Sequence, residues 1–177
     1  MSELRIAHTA DLPRATLDAA HGLLRAVFDG DFGEEDWEHA LGGVHALLWE
    51  EGELIGHGAV VQRRLLHRGR ALRTGYVEGV GVRADRQRRG HGAEIMRALE
   101  RVVRGAYELG ALGTTDAGAP LYAALGWRRW EGPTSALTPS GVRRTPDEDG
   151  GIHVLPVTVE LDLTGELTCD WRDGDVW

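Results

Sequence analysis

The stretch YVEGVGVRADRQRRGHGAEIM, residues 76–96, decides the fold. YVEGVGV reads as a strand, rich in β-branched and aromatic residues. RADRQRRGHG then gathers four arginines and two glycines. Beyond it runs the clearest helical pattern of the chain, from about residue 92 to residue 109. Ile95, Met96, Leu99, Val102, Val103, Ala106 and Tyr107 share one face. Glu94 with Arg97 and Glu100 with Arg104 lie opposite at pairing distance, and Gly110 is placed to end the helix. A helix N-terminus presents unpaired N–H groups and the positive end of a dipole, and glycines let a phosphate approach the backbone. The spacing is neither the Walker pattern nor G-x-G-x-x-G. Taken alone, the loop is an anion site or an ordinary surface loop.

Working outward, the chain predicts a single domain over residues 1–177. Of its residues 42% are hydrophobic and 27% charged, values of a globular protein. The one cysteine, Cys169, excludes an internal disulfide. MSELRIAHTADL lacks a basic stretch followed by an apolar run, and no apolar stretch approaches membrane length. The expectation is a cytoplasmic protein with no membrane association. All 20 basic residues are arginine. From residue 62 to residue 104 there are 12 arginines against 4 acids, while the remainder holds 8 arginines and 24 acids. The middle therefore suits an anionic ligand and the flanks a cationic one. The overall charge of -8 and the absence of interleaved surface aromatics argue against a nucleic-acid partner.

Elsewhere RIAH reads as a strand. DLPRATLDAAHGLLRAVF reads as a helix capped by Asp11, with Pro13 in its first turn. DGDFGEEDWEHAL is an acidic loop entering a short helix. VHALLWE and LIGHGAVVQRRLL are strands joined at EGE, and HRGR turns into ALRTGYVEGVGV. ALGTT (strand), APLYAALG (helix), WRRWEG (strand), TPSGVRRTPDEDGG (loop or excursion), IHVLPVTVEL (strand) and a tail follow. The order predicts an α+β fold, a mixed sheet flanked by helices. The histidines show no metal spacing, since His39 and His45 cannot share one helical face with a partner. No metal is expected.

Q-R-R-G-H-G between a strand and a long amphipathic helix resembles the pyrophosphate loop of the GCN5-related N-acetyltransferase (GNAT) superfamily. APLYAALGW resembles its tyrosine-bearing helix. GDFGEEDWEHALGGVHALLWEEG, RGAYELGAL, GPTSALTPSGVRRTPDEDG and CDWRDGDVW together are similar to aminoglycoside 2'-N-acetyltransferases, over nearly the whole chain. The resemblance implies a GNAT fold with a mostly antiparallel sheet and direct acetyl transfer from acetyl-CoA in a ternary complex. The acceptor would be the 2'-amine of gentamicin, tobramycin or kanamycin B type antibiotics, which would confer resistance. A homodimer is implied as well. The alternatives are a GNAT enzyme for another polyamine, a cell-wall amine or a protein amine, and a nucleic-acid module using the basic middle.

Acetyl transfer to an amine needs a base, a polarised thioester carbonyl and a proton for the leaving thiolate. Glu78, alone among apolar residues and glycines in YVEGVGV, is either a sheet-surface charge or that base; its place beside the loop favours the base. The resemblance implies that it acts through water or holds the substrate. Tyr122 is core packing or the acid that protonates the thiolate, and the motif favours the acid. The resemblance further implies that Val80, Gly81 and Val82 pair with the pantetheine arm. The backbone of Gln87, Arg88, Arg89, Gly90, His91 and Gly92 would hold the pyrophosphate. Asp31, Asp36, Glu78, Gly79, Gly113, Asp147, Glu148, Asp175 and the Trp177 carboxylate would bind the aminoglycoside, with the tail from about residue 165 completing the cleft. Glu34, Glu35, Asp149 and Asp173 are read as solvated charge. Two departures from the family pattern stand out. GTT replaces serines after GAL, leaving only a backbone contact at Gly113, and the acidic turn reads Asp-Glu-Asp.

Overall fold

The structure is a computed structural model that describes all 177 residues. It divides into two compact units, one of Met1–Val61 and Val77–Val102, the other of Gln62–Tyr76 and Val103–Trp177.

In the first unit β1 (Ser2–His8) runs antiparallel to β2 (Val44–Glu50), and β2 antiparallel to β3 (Glu53–His67). The EGE segment makes the expected turn, with Glu51 and Gly52 both left-handed at φ 52° and 82°, as a two-residue hairpin loop requires. The chain returns through Arg68 and Gly69 (φ 49° and 75°) into β4 (Arg70–Val82). Strands β3 and β4 have residues in both units. Helix α1 (Arg14–Val27) buries Ala20, Leu23 and Leu24. Leu24 meets Phe32, Trp37 and Ala40 of the α2 (Glu34–Ala40) region and Leu47 and Ala59 of the sheet in one apolar cluster. Helix α3 (His91–Ala106) buries Ile95, Met96 and Leu99 completely. It lies so close to β3 that a Cβ on Gly56 or Gly58 would stand 2.7 and 2.9 Å from Ile95 side-chain atoms.

Two sequence expectations are corrected. Asp11 does not cap α1. It closes a 3-10 turn over Thr9–Asp11, and the helix starts after Pro13 with no side-chain cap, because buried Leu12 turns the chain inward first. Nor does Gly110 end α3, which stops at Ala106. Glu108 takes the chain into the sheet, its N–H on the Arg73 carbonyl and its carboxylate on the Arg73 N–H at 2.9 Å and on Arg70 at 3.0 Å.

The second unit is sheet-dominated, with strand order β6-β9-β5-β4-β3-β10-β7-β8. Its further strands are β5 (Leu109–Gly113), β6 (Arg128–Arg129), β7 (Thr134–Thr138), β8 (Gly141–Arg144), β9 (Ile152–Pro156) and β10 (Leu167–Cys169). Pairs β4–β5 and β10–β7 are parallel, and β5–β9, β6–β9, β7–β8 and β10–β3 antiparallel. The mixed sheet and its helices make the expected α+β fold. The segment read as a loop, TPSGVRRTPDEDGG, instead carries β8 and turns back on β7. Its four strand residues are all exposed, so it has no apolar face to betray a strand. Trp130, fully buried, donates its indole N–H to the Gly165 carbonyl at 2.9 Å. Cys169 is also fully buried. No helix is long and apolar enough to cross a membrane.

Candidate active site

In the first unit the site is built on the end of β4 and the start of α3. Glu78 is half-buried. Gly79 is left-handed at φ 55°, and a Cβ there would lie 3.1 Å from Leu24 Cδ1. The Gly79 carbonyl lies 2.7 Å from His57 Nδ1. After β4, Arg83 donates to the Ile55 carbonyl and the Gln87 amide donates to the Val82 carbonyl at 2.9 Å. Gln87 thus secures the loop to the strand with its side chain. Arg88 and Gly90 are both left-handed (φ 60° and 87°), and a Cβ on Gly90 would meet nothing within 4 Å. Helix α3 begins at His91, with Glu94 N–H on the Gly90 carbonyl. The open backbone and the first turn of α3, including Gly92, fit an anion.

The loop is less cationic than its sequence. Arg83 is bidentate to Asp85 (2.6 and 3.2 Å) and bonds Glu53 at 2.6 Å; Arg86 bonds Glu50 and Asp85. These bonds raise both arginine pKa values and hold Glu50 and Asp85 below the usual carboxylate range. Arg88 and Arg89 make none of these pairs and are exposed. The basic middle is therefore partly neutralised, by Asp85 within it and by Glu50 and Glu53 from the preceding segment. Of the acidic candidates here, Asp31 is exposed. Asp36 accepts the Gly33 N–H at 2.7 Å and so holds the start of α2.

In the second unit α4 (Ala119–Ala124) carries Tyr122, which is 8% exposed. Burial pushes its phenol up to about 12, so it keeps its proton at neutral pH. Its ring lies edge-on to Trp127 and tilted to His153, each at 6.5 Å. The acidic turn and the tail come together: burial raises the Glu148 pKa, and the charges of Asp175 and Asp147 raise it further. Asp149 is not solvated charge. It accepts the Thr134 N–H and hydroxyl at 2.9 Å and Arg144 at 2.7 Å, which holds its pKa low and fastens the β7–β8 hairpin.

The tail is docked, through Trp177 rather than Trp171. Trp177 is 5% exposed and Trp171 48%. The Trp177 indole donates to Thr145 Oγ1 at 2.9 Å, and its N–H to Asp175 Oδ1 at 3.1 Å. Its main-chain oxygen accepts from Arg172 at 2.9 Å, so a protein cation already faces it. Arg63 bonds Asp170 and the Val176 carbonyl. Tyr76 has Arg63 4.7 Å and Arg172 5.5 Å from its ring centre, and its hydroxyl lies 3.4 Å from where a Gly113 Cβ would stand. Gly113 is thereby placed next to the Trp177 carbonyl carbon, 3.7 Å from the same point.

Sequence reasoning missed His45 and His57. They are fully buried and joined ring to ring, Nδ1 to Nε2, at 2.9 Å. Desolvation lowers their pKa values to about 4 and about 3. No group of three or more His, Cys, Asp or Glu side chains is arranged to hold a metal.

The GNAT acetyltransferase domain model matches residues 10–129. An aminoglycoside 2'-N-acetyltransferase of Mycolicibacterium fortuitum is 54% identical over 98% of this chain and 91% of its own. Among solved structures, a GNAT family N-acetyltransferase (YhbS) from Escherichia coli in complex with CoA aligns at TM-score 0.66 and 15% identity, covering 95% of this chain and 89% of its own. A GNAT family acetyltransferase from Brucella melitensis in complex with acetyl-CoA aligns at 0.61 and 15%, covering 93% and 94%. Eis1 from Mycobacterium abscessus aligns at 0.63 and 20% over 76% of this chain, which spans only 33% of that protein. The open-backed loop at the head of α3 and these matches agree, and the chain belongs to the GNAT acetyltransferase family.

Proposed function

We propose that this protein transfers the acetyl group of acetyl-CoA to the 2'-amine of aminoglycosides. The observation that carries the acceptor class is the Glu148 cluster. Every influence on its carboxyl, namely burial, Asp175 and Asp147, raises its pKa. A site that keeps three carboxylates together suits a polycation. The 54% identical relative bears that activity in its name.

Val80, Gly81 and Val82 offer backbone groups to the pantetheine arm, and the Gln87 to Gly92 backbone holds the pyrophosphate. Asp31, Asp36, Asp147, Glu148 and Asp175 receive ammonium and hydroxyl groups, with backbone contacts at Gly79 and Gly113. Glu78 accepts, through water, the proton that the amine loses as its nitrogen bonds the thioester carbon. As the carbon–sulfur bond breaks, Tyr122 gives its proton to the thiolate. A cytoplasmic homodimer is part of this reading, and an ultracentrifugation mass of one chain would remove the dimer from it.

The deciding test follows free thiol release from acetyl-CoA with two matched aminoglycosides, one with a 2'-amine and one with a 2'-hydroxyl. Turnover with the amine alone is expected. Turnover with both, or with neither, refutes the assignment.

A further inference from the structure

Four groups of the first unit form a line of hydrogen bonds: Thr9 Oγ1 to His45 Nε2 (2.7 Å), His45 Nδ1 to His57 Nε2 (2.9 Å), and His57 Nδ1 to the Gly79 carbonyl (2.7 Å). Its direction follows from one end. A carbonyl only accepts, so His57 carries its proton on Nδ1. Neutral His57 then accepts at Nε2, which puts the His45 proton on Nδ1. His45 in turn accepts at Nε2 from the Thr9 hydroxyl at 2.7 Å, the shorter of that hydroxyl's two contacts, the Gly43 carbonyl lying at 3.3 Å, while the Thr9 oxygen receives the Gly42 N–H at 2.9 Å.

The histidines come together through strand register. His45 stands opposite Ala59 in the β2–β3 ladder, and His57 is two residues along, on the same face. The Trp37 ring packs over both, 6.2 and 5.8 Å from their centres. The depressed pKa values agree with two neutral rings at any pH where the protein is used. An apolar pair would fill this space at lower desolvation cost, so the polar chain calls for a role.

Its end point supplies one. A trans peptide is planar, with its C=O and N–H pointing in opposite directions. Fixing the Gly79 carbonyl on His57 therefore aims the Val80 N–H the other way. We propose that Thr9, His45 and His57 are positioning residues, which hold the Gly79–Val80 peptide so that the Val80 N–H faces the thioester carbonyl of the bound acyl donor. This rests on the reading that β4 binds the pantetheine arm. The chain ends one residue from Glu78, on the carbonyl of Gly79, whose backbone is left-handed at φ 55° within β4.

The test combines kinetics with imidazole tautomers. His57→Leu removes the donor and is expected to lower kcat by about 10- to 100-fold, the range of a misaimed carbonyl donor. Its dissociation constant for CoA, from calorimetry, should stay within about threefold of wild type. His57→Asn, whose amide nitrogen stands near the Nδ1 position, should recover most of the loss. Thr9→Val removes only the far, half-exposed end and should lower kcat by about two- to fivefold; it serves if His57→Leu does not fold. Nitrogen-15 spectra of the wild type should show both histidines as Nδ1–H tautomers. A proton on His57 Nε2, or a folded variant with wild-type kcat, overturns the proposal. Wild-type protein that transfers no acetyl group sinks the functional reading along with it, whereas normal turnover with insensitive variants sinks the positioning role alone.

Discussion

Arg63→Met tests what holds the tail. The Arg63 side chain is 4% exposed. Its Nε donates to Asp170 Oδ1 at 2.7 Å, and its Nη2 to the Asp170 carbonyl at 2.9 Å and the Val176 carbonyl at 2.7 Å. The guanidinium also covers Tyr76. Burial alone would lower its pKa, but Tyr76, Asp170 and Cys169 outweigh burial and raise it. Methionine keeps the stem and removes the fork. Stripping one member from a fully buried pair costs about 3–5 kcal/mol. Asp170 is not stranded, because its side chain is 38% exposed and its Oδ2 still accepts the Arg64 N–H at 3.1 Å. Discounting for that solvent access leaves about 2–3 kcal/mol. For a chain of this size that is roughly 4–12 °C in Tm. The assay is calorimetric melting with amide exchange of residues 170–177, and both should show loss. The KM for aminoglycoside should rise, since the tail carries Asp175 and Trp177. A Tm unchanged to about 1 °C with full tail protection would refute the reasoning.

Tyr122→Phe should slow transfer by about 10- to 100-fold with CoA affinity unchanged; lost CoA binding in calorimetry would mean that the hydroxyl is structural. Glu148 has a raised pKa, so the folded protein binds its proton more tightly than the unfolded chain does, and its stability contribution is greatest at low pH and lost as pH rises. Glu148→Gln should therefore melt no lower than wild type at neutral pH while raising the KM for aminoglycoside, and the wild-type KM should climb as pH falls into the carboxylate range. A lower Tm with unchanged KM would contradict both halves. Asp149 behaves oppositely: its pKa is held down, chiefly by Arg144, so its stabilisation is present above the usual Asp pKa and lost as pH falls below it. Asp149→Asn should flatten the acid limb of a stability–pH curve, and an unaltered limb would exclude the clamp. Gly90→Ala should lower CoA affinity through its left-handed backbone (φ 87°), by about 1 kcal/mol or fivefold; equal affinity in calorimetry would show that the loop adapts.

Much of this was legible in the sequence because its signals are local. The strand, loop and helix around Gln87 to Gly92 follow from period and glycine placement, and the Glu51-Gly52 and Arg68-Gly69 turns from backbone chemistry. What was not legible depends on partners far along the chain. The β8 strand has no buried face, and Asp149 holds it from outside the hairpin. Arg83 and Arg86 look like a cationic loop until Glu53 and Glu50, 30 and 36 residues earlier, are beside them. His45 and His57 show no metal spacing, and only the β2–β3 register makes them neighbours. Asp149 stands two residues from Asp147 in the acidic turn, but its carboxylate bonds the Thr134 N–H and Arg144, and spacing does not report that.

Cys169 has a practical consequence for all these assays. It is the only thiol in the chain, it has no exposed surface, and burial pushes it up to about 11. Thiolate is the species that reacts with disulfide reagents. In the native enzyme this sulfur stays protonated and shielded, so a chromogenic disulfide present throughout turnover registers coenzyme A alone. The same reagent becomes a reporter of unfolding, since one equivalent of colour per chain appears only when β10 leaves the sheet.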